Sequence, residues 1–192
     1  MTLSESGNSP RVILVDEHDN ALGTQEKLRA HQNGGQLHRA FSLFIRDDQD
    51  RILLQRRAQN KYHCPGLWSN SCCSHPQPGM SLLRCAQKRL QEELGFNTPL
   101  RKIGTMTYHL PLSKGLTERE FDHIYLGRYD GAVAPDPSEV QDYKWVRLIE
   151  LEQDIQAHAE NYTPWLLKIL PVLIDHLGRK GDAYSTEMVI NS

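Results

Sequence analysis

Two adjacent cysteines, with a histidine two positions on, stand in the stretch SNSCCSHPQPG, Ser69 to Gly79. Side chains of an extended chain alternate between faces. Ser71, Cys73 and His75 then share one face, and Trp68, Asn70, Cys72 and Ser74 take the other. Cys73, not Cys72, is the sulfur that stands beside His75, and Cys72 turns into packing. The same rule places Glu118 and Glu120 of LTEREFDH on one side, with Arg119 opposite. His31 and His38 form a third pair, at the end of a short helix and the start of the next strand. If they converge, three imidazoles and two carboxylates nearly fill an octahedron around a divalent ion. That donor mix suits manganese, iron, zinc or magnesium.

A basic set accompanies them. QRRAQNK places Arg56, Arg57 and Lys61 between a strand and a Pro-Gly loop, with Lys27 earlier and Arg89 on a central helix. Arg57 and Lys61 sit where a diphosphate clamp belongs, since a guanidinium binds phosphate oxygens two at a time. Singly, each signal is ordinary. The chain has nine histidines, so any one of them is more often a surface or core residue than a ligand. Glu-x-Glu is common on solvated strands, and paired cysteines mostly pack. Order and context raise them.

The elements that must position these residues follow from hydrophobic pattern and turn chemistry. Val12 to Val15 reads as a strand with a polar turn and return. TQEKLRAHQNGG reads as a short helix capped by Thr24 and closed by Gly34-Gly35. RAFSLFIRDDQDRILLQRRA reads as a hairpin about the acidic turn Asp47–Asp50. Met80 to Leu94 reads as a helix with Leu82, Leu83, Ala86, Leu90 and Leu94 near one face and Gly95 ending it. Three strands are expected at Lys102–Leu110, Phe121–Tyr129 and Tyr143–Val146, and closing helices at Leu148–His158 and Pro164–Leu177. Strands with a central helix and two late helices imply a mixed sheet covered on both faces.

Bulk properties set limits. A chain of 192 residues, 39% hydrophobic, fits one domain with a sizeable core. A net charge of -2 argues against a general nucleic-acid binder. No run of about eighteen apolar residues suggests a membrane span, and the polar MTLSESGNSP lacks the apolar centre of a secretory signal. A cytoplasmic protein with free thiols is expected; a Cys72–Cys73 disulfide would need a strained ring.

QRRA, then CPGLWSNSCCSHP, then a helix ending QEELGF resembles the Nudix superfamily and, more closely, the type I isopentenyl-diphosphate isomerases. GTQEKLRAH, LHRAFS, ERE and TPW extend the likeness over about residues 11 to 170. Laid on the Nudix box from Ser74 to Phe96, the chain keeps Glu92, Glu93, Gly95 and Phe96. It departs at Ser74 (glycine in the box), at Met80 (glutamate) and at Lys88-Arg89 (Arg-Glu). A glutamate missing at 89 removes a principal metal ligand of the hydrolases.

The resemblance implies an α/β (α+β) fold, a Nudix-like α/β/α sandwich with a mixed β-sheet. A single domain over residues 1–192 is expected, and both ends, 1–10 and 179–192, read as loosely held. The implied activity converts isopentenyl diphosphate to dimethylallyl diphosphate through a carbocation-like intermediate. Cys73 and Glu120 would be the acid/base groups, with Tyr108 and Trp165 near the reacting carbons. His31, His38, His75, Glu118 and Glu120 would hold one divalent ion (Mn2+, Mg2+ or Zn2+). Glu93 would hold a Mg2+ that bridges the diphosphate, and Arg57, Lys61, Lys27 and Arg89 would bind the diphosphate itself. A small-molecule diphosphate is the expected partner, with neither nucleic acid nor membrane, in a monomer or homodimer. The alternatives are a Nudix hydrolase of nucleoside or other diphosphates and a catalytically dead metal-binding or thiol-sensing module. A Cys-His hydrolase is weaker, since no oxyanion-hole signature accompanies Cys73.

Overall fold

The structure, a computed structural model, describes residues 10–187, with side chains described through residue 178. The chain opens with β1 (Arg11–Val15) and β2 (Ala21–Glu26), paired antiparallel. α1 (Lys27–His31) follows directly. Its cap is Glu26, whose carboxylate accepts from the N–H groups of Leu28 and Arg29, each at 2.9 Å. The cap expected at Thr24 is therefore corrected: β1 keeps the chain extended through Glu26, and Thr24 Oγ1 accepts from Arg11 Nε.

β3 (His38–Arg46) and β4 (Arg51–Arg57) form the expected hairpin, meeting at Arg46 and Ile52. Asp47 closes the turn by accepting from Gln49 N and Arg51 N. Beyond it the strands part. β5 (Trp68–Ser69) pairs with β4, and β6 (Cys72–Ser74) pairs with β3. The segment between them crosses the split. There the strict alternation expected of residues 69–75 breaks: Ser71 Oγ accepts from Ile45 N at 2.8 Å and donates to Leu53 O at 2.7 Å, tying the two parted strands. Asn70 Nδ2 donates to the carbonyls of Leu43 and Cys72. Ser71→Ala strands the buried Ile45 N–H and is expected to cost about 1–3 kcal/mol. A urea melt checks this; an unchanged midpoint would mean that other contacts hold the split.

α2 (Leu82–Leu94) starts at Ser81, whose hydroxyl accepts from Arg84 N, and ends at the left-handed Gly95. A Cβ on Gly95 would meet Ala134 O at 2.5 Å, so the crossing loop also requires glycine there. Leu83 does not join the apolar face as expected. It is 40% exposed, because burial on this helix begins at Cys85, one turn in. β7 (Leu100–Pro111) and β8 (Thr117–Arg128) pair antiparallel, and β8 runs parallel to the whole of β3. The observed β8 begins before the expected Phe121, so both glutamates lie in the strand itself. β9 (Val140–Arg147) closes against β4.

α3 (Leu148–His158) matches its expected bounds, and α4 (Pro164–Glu187) runs ten residues past the expected Leu177. Of the ends expected to be loosely held, residues 179–187 lie within α4, while 1–9 and 188–192 are outside the described residues.

α2 packs one face of the mixed sheet, through Phe41, Leu43, Leu53, Cys72, Leu90 and Leu94. α3 and α4 cover the other, through Phe44, Leu54, Ile124, Leu151, Leu166 and Ile169. Each such buried Leu, Ile or Phe contributes about 1.5–3 kcal/mol, which offsets the cost of burying the polar group described next.

Candidate active site

His31 ends α1, His38 starts β3, His75 follows β6, and Glu118 and Glu120 point the same way from β8. One ligand atom from each of these five residues lies within 4.8 Å of all the others. Backbone carbonyls fix two of the imidazoles. His31 Nδ1 lies 2.6 Å from Lys27 O, and His38 Nδ1 lies 2.7 Å from Gln36 O. A carbonyl can only accept, so both Nδ1 atoms carry hydrogen and the Nε2 lone pairs turn inward, the tautomer a metal requires. His38 Nε2 and His75 Nε2 face each other at 3.1 Å. The buried His31 Nε2 and Glu118 Oε2 have no hydrogen-bond partner, although they stand 2.9 Å apart. Facing imidazole nitrogens, unpartnered buried atoms and two adjacent carboxylates fit a divalent cation.

The electrostatics of His75 agree with this reading. Burial pushes the His75 imidazole down to about 4, against the pull of Glu120, so it is neutral and able to ligate. Burial opposes charge on Glu118, yet the adjoining His31 and His63 imidazoles outweigh it and hold the carboxyl well below its ordinary range.

Cys73 and Glu120 line one cavity of about 70 Å3, together with His75, Tyr108 and Trp165. They arrive on β6 and β8 from opposite edges of β3. Cys72 belongs to the α2 layer and Cys73 to the α4 layer, the division expected from alternation. Burial pushes the Cys73 thiol up to about 12, against the nearby Arg57 charge, so it keeps its proton. The Tyr108 hydroxyl donates to Glu120 Oε2. It also lies 3.3 Å from Asp122 Oδ2, which accepts from Ser42 Oγ at 2.7 Å. Burial and the charge of Glu120 push the Asp122 carboxyl up to about 8.

Lys27, Arg57, Lys61 and Arg89 all line this cavity, and so does Glu93. A second hollow of about 420 Å3 shares Lys27, Lys61, Ser74, His75 and Arg89, so cations ring the junction of a tight inner space and a wide mouth. Three of the four are already engaged. Arg57 donates to the carbonyls of His63 and Cys64. Lys61 pairs with Glu139, and Arg89 spans Glu92, Glu93 and Glu139. Arg56 turns instead to Gly66 O and the Trp68 ring.

Trp165, expected near the reacting carbons, is a wall of the cavity held in place on two sides. Its indole N–H donates to Ser69 Oγ at 3.1 Å, and the Arg57 guanidinium lies 5.1 Å from its ring.

Gln55, Tyr62, His63 and Asp122 escaped the sequence reading. Asp122 was legible as the third member of the alternating run Glu118, Glu120, Asp122. His63 lies in a loop, where no periodicity marks it.

A NUDIX domain model matches residues 36–166. An isopentenyl-diphosphate Delta-isomerase of Serratia proteamaculans is 48% identical, over 83% of this chain and 88% of that one. Isopentenyl-diphosphate Delta-isomerase 2 of Aromatoleum aromaticum is 47% identical, over 85% of this chain and 86% of its own. Among solved structures, the DR0079 protein of Deinococcus radiodurans superposes with a TM-score of 0.70 at 20% identity, covering 84% of this chain and 97% of its own. That last likeness speaks for the fold alone.

Proposed function

The chain belongs to the isopentenyl-diphosphate Delta-isomerases of the NUDIX family, and from that premise we propose how its residues carry the reaction. The enzyme converts isopentenyl diphosphate into dimethylallyl diphosphate. A proton must be added at C4 of an unactivated alkene and another removed from C2. Because the charge between these events sits on a tertiary carbon, one acid and one base have to bracket a flat hydrocarbon.

The observation that carries the assignment is that Cys73 and Glu120 line one cavity together with Arg57, and that Lys27, Lys61 and Arg89 ring its mouth. Cys73 supplies a thiol that holds its proton at neutral pH. Glu120 supplies a carboxylate whose second oxygen takes a hydrogen bond from Tyr108, which orients it. The hydrocarbon occupies the inner space, where enclosure keeps water from trapping the cation as an alcohol. Trp165 walls that space, and an indole face attracts a cation by about 0.5–2 kcal/mol. The diphosphate faces the mouth, where it displaces or shares the carboxylate and carbonyl partners of Lys61, Arg89 and Arg57.

His31, His38, His75, Glu118 and Glu120 would hold the divalent ion. Three nitrogens and two carboxylates exceed the four ligands usual for structural zinc and are softer than magnesium prefers, so manganese fits best. Bound there, the ion would supply positive charge that keeps Glu120 ionised and in place. Glu93, at the diphosphate end, would share a Mg2+ with the substrate.

Hydrolysis is not favoured. Arg89 stands where the Nudix box has a glutamate, and its guanidinium lies 2.6 Å from Glu93. Incubating the purified protein with isopentenyl diphosphate and Mg2+ in deuterated water is expected to yield deuterium-labelled dimethylallyl diphosphate without phosphate release. Unlabelled substrate recovered from active-fold protein would reject the mechanism, and released phosphate would favour a hydrolase.

A further inference from the structure

We propose that His63 is a positioning residue of the metal centre, one that fixes the Glu118 carboxylate from the side away from the ligand cluster. The two Glu118 oxygens face different histidines. Oε2 faces His31 Nε2 at 2.9 Å, inside the cluster. Oε1 lies 3.0 Å from Nε2 of His63, a residue outside the five whose ligand atoms converge. An ionised carboxylate can only accept, so His63 Nε2 carries the hydrogen and donates it. Without that donor one oxygen of a buried carboxylate loses its partner, and the group is free to turn its ligating oxygen out of the cluster.

The loop is built to deliver this donor. Cys64, the next residue, holds the left-handed backbone conformation at φ 47, unusual for a residue with a side chain. Arg57 clamps the bend by donating to the carbonyls of both His63 and Cys64. The His63 ring is then packed edge-on between Tyr62, at 4.3 Å between centroids, and Trp165, at 5.6 Å. The residue is 6% exposed. Arg57 and Trp165 also line the substrate cavity. His63 thus joins the wall of the cavity to a ligand of the ion.

The proposal rests on reading the His/Glu cluster as a divalent-metal site, and its test separates the two. Metal-free protein is titrated with Mn2+ against a fluorescent chelator. His63→Phe keeps an aromatic ring between Tyr62 and Trp165 but has no N–H, and is expected to bind Mn2+ about 10–100-fold more weakly, the usual cost of losing a group that orients a ligand. His63→Gln restores a donor and is expected to recover most of that loss. Wild-type affinity in a folded His63→Phe variant, or a Gln variant as weak as Phe, would overturn the role given to His63. If the Phe variant does not fold, His63→Ala replaces it with the same two outcomes. Wild-type protein that takes up no Mn2+, or a His75→Ala variant that binds as wild type does, fails the metal reading instead.

Discussion

Cys73→Ala is expected to lower turnover of isopentenyl diphosphate by at least about 10³-fold, within the range that general acid–base groups supply, while the protein stays folded. The thiol sits in the cavity with Glu120, and its surroundings hold it protonated, at about 12. No other proton carrier among the cavity residues stands on that strand: Ser74, next to it, is far too weak an acid, and His75 faces Glu120 at 2.7 Å. Removing the sulfur leaves a gap of one atom, which costs about 1 kcal/mol or little more, small beside the several kcal/mol of a typical domain. Cys72→Ala is the internal control. That sulfur is fully buried against α2, so its loss is expected to lower the melting temperature and leave kcat near wild type. Parallel assays of dimethylallyl diphosphate formation and thermal melting on the two variants decide the matter. A Cys73→Ala enzyme that keeps more than about a tenth of wild-type kcat, or a Cys72→Ala enzyme that is dead though folded, would remove the thiol from the mechanism.

That two adjacent cysteines can be told apart from sequence shows what kind of information a strand carries. Alternation is local and rigid, so Cys73 beside His75, and Glu118 beside Glu120, were legible before any tertiary contact was known. The α3 bounds were equally legible, because its apolar spacing and flanking residues agree. What sequence withheld was set by partners far away in the chain. Thr24 looks like a cap, but β1 pulls it into a strand. Ser71 belongs to the alternating run by number, yet it spends its hydroxyl on the backbones of β3 and β4. Leu83 has the right period, but burial on α2 starts beyond it. His63 reaches the site from the loop between β4 and β5, and Gln55 from β4 through an amide that donates to Ser71 O and Glu93, contacts that no periodicity signals. The cation set was readable as a set, whereas the carboxylates that restrain it, above all Glu139 between Lys61 and Arg89, come from a loop before β9.

Stripping the protein of divalent metal is expected to abolish turnover and to lower the melting temperature by about 5–10 °C relative to protein in Mn2+ at 100 times its Kd. The second figure follows from linkage: a ligand at that excess stabilises the native state by about 2.7 kcal/mol, and a domain of this size gains about 2–4 °C per kcal/mol. The first follows from the charges. Glu118 and Glu120 are both buried, at 3% and 7% exposure, and project from the same face of one strand. Without a cation their repulsion is offset only by neighbouring imidazoles and the Tyr108 hydroxyl, and two histidine nitrogens are left facing each other. Glu120 is then expected to relax toward the nearest proton donor, so that the carboxylate proposed to act on the substrate loses its place beside Tyr108. Re-adding Mn2+ should restore activity and melting together, with one midpoint for both. His75→Ala should reproduce the stripped state even in excess Mn2+, since it removes the imidazole that touches both His38 and Glu120. Full activity in protein shown to be metal-free would sever the cluster from catalysis. Restored melting without restored activity would instead assign the cluster to stability alone, because one ion cannot both orient Glu120 for proton transfer and leave the rate untouched.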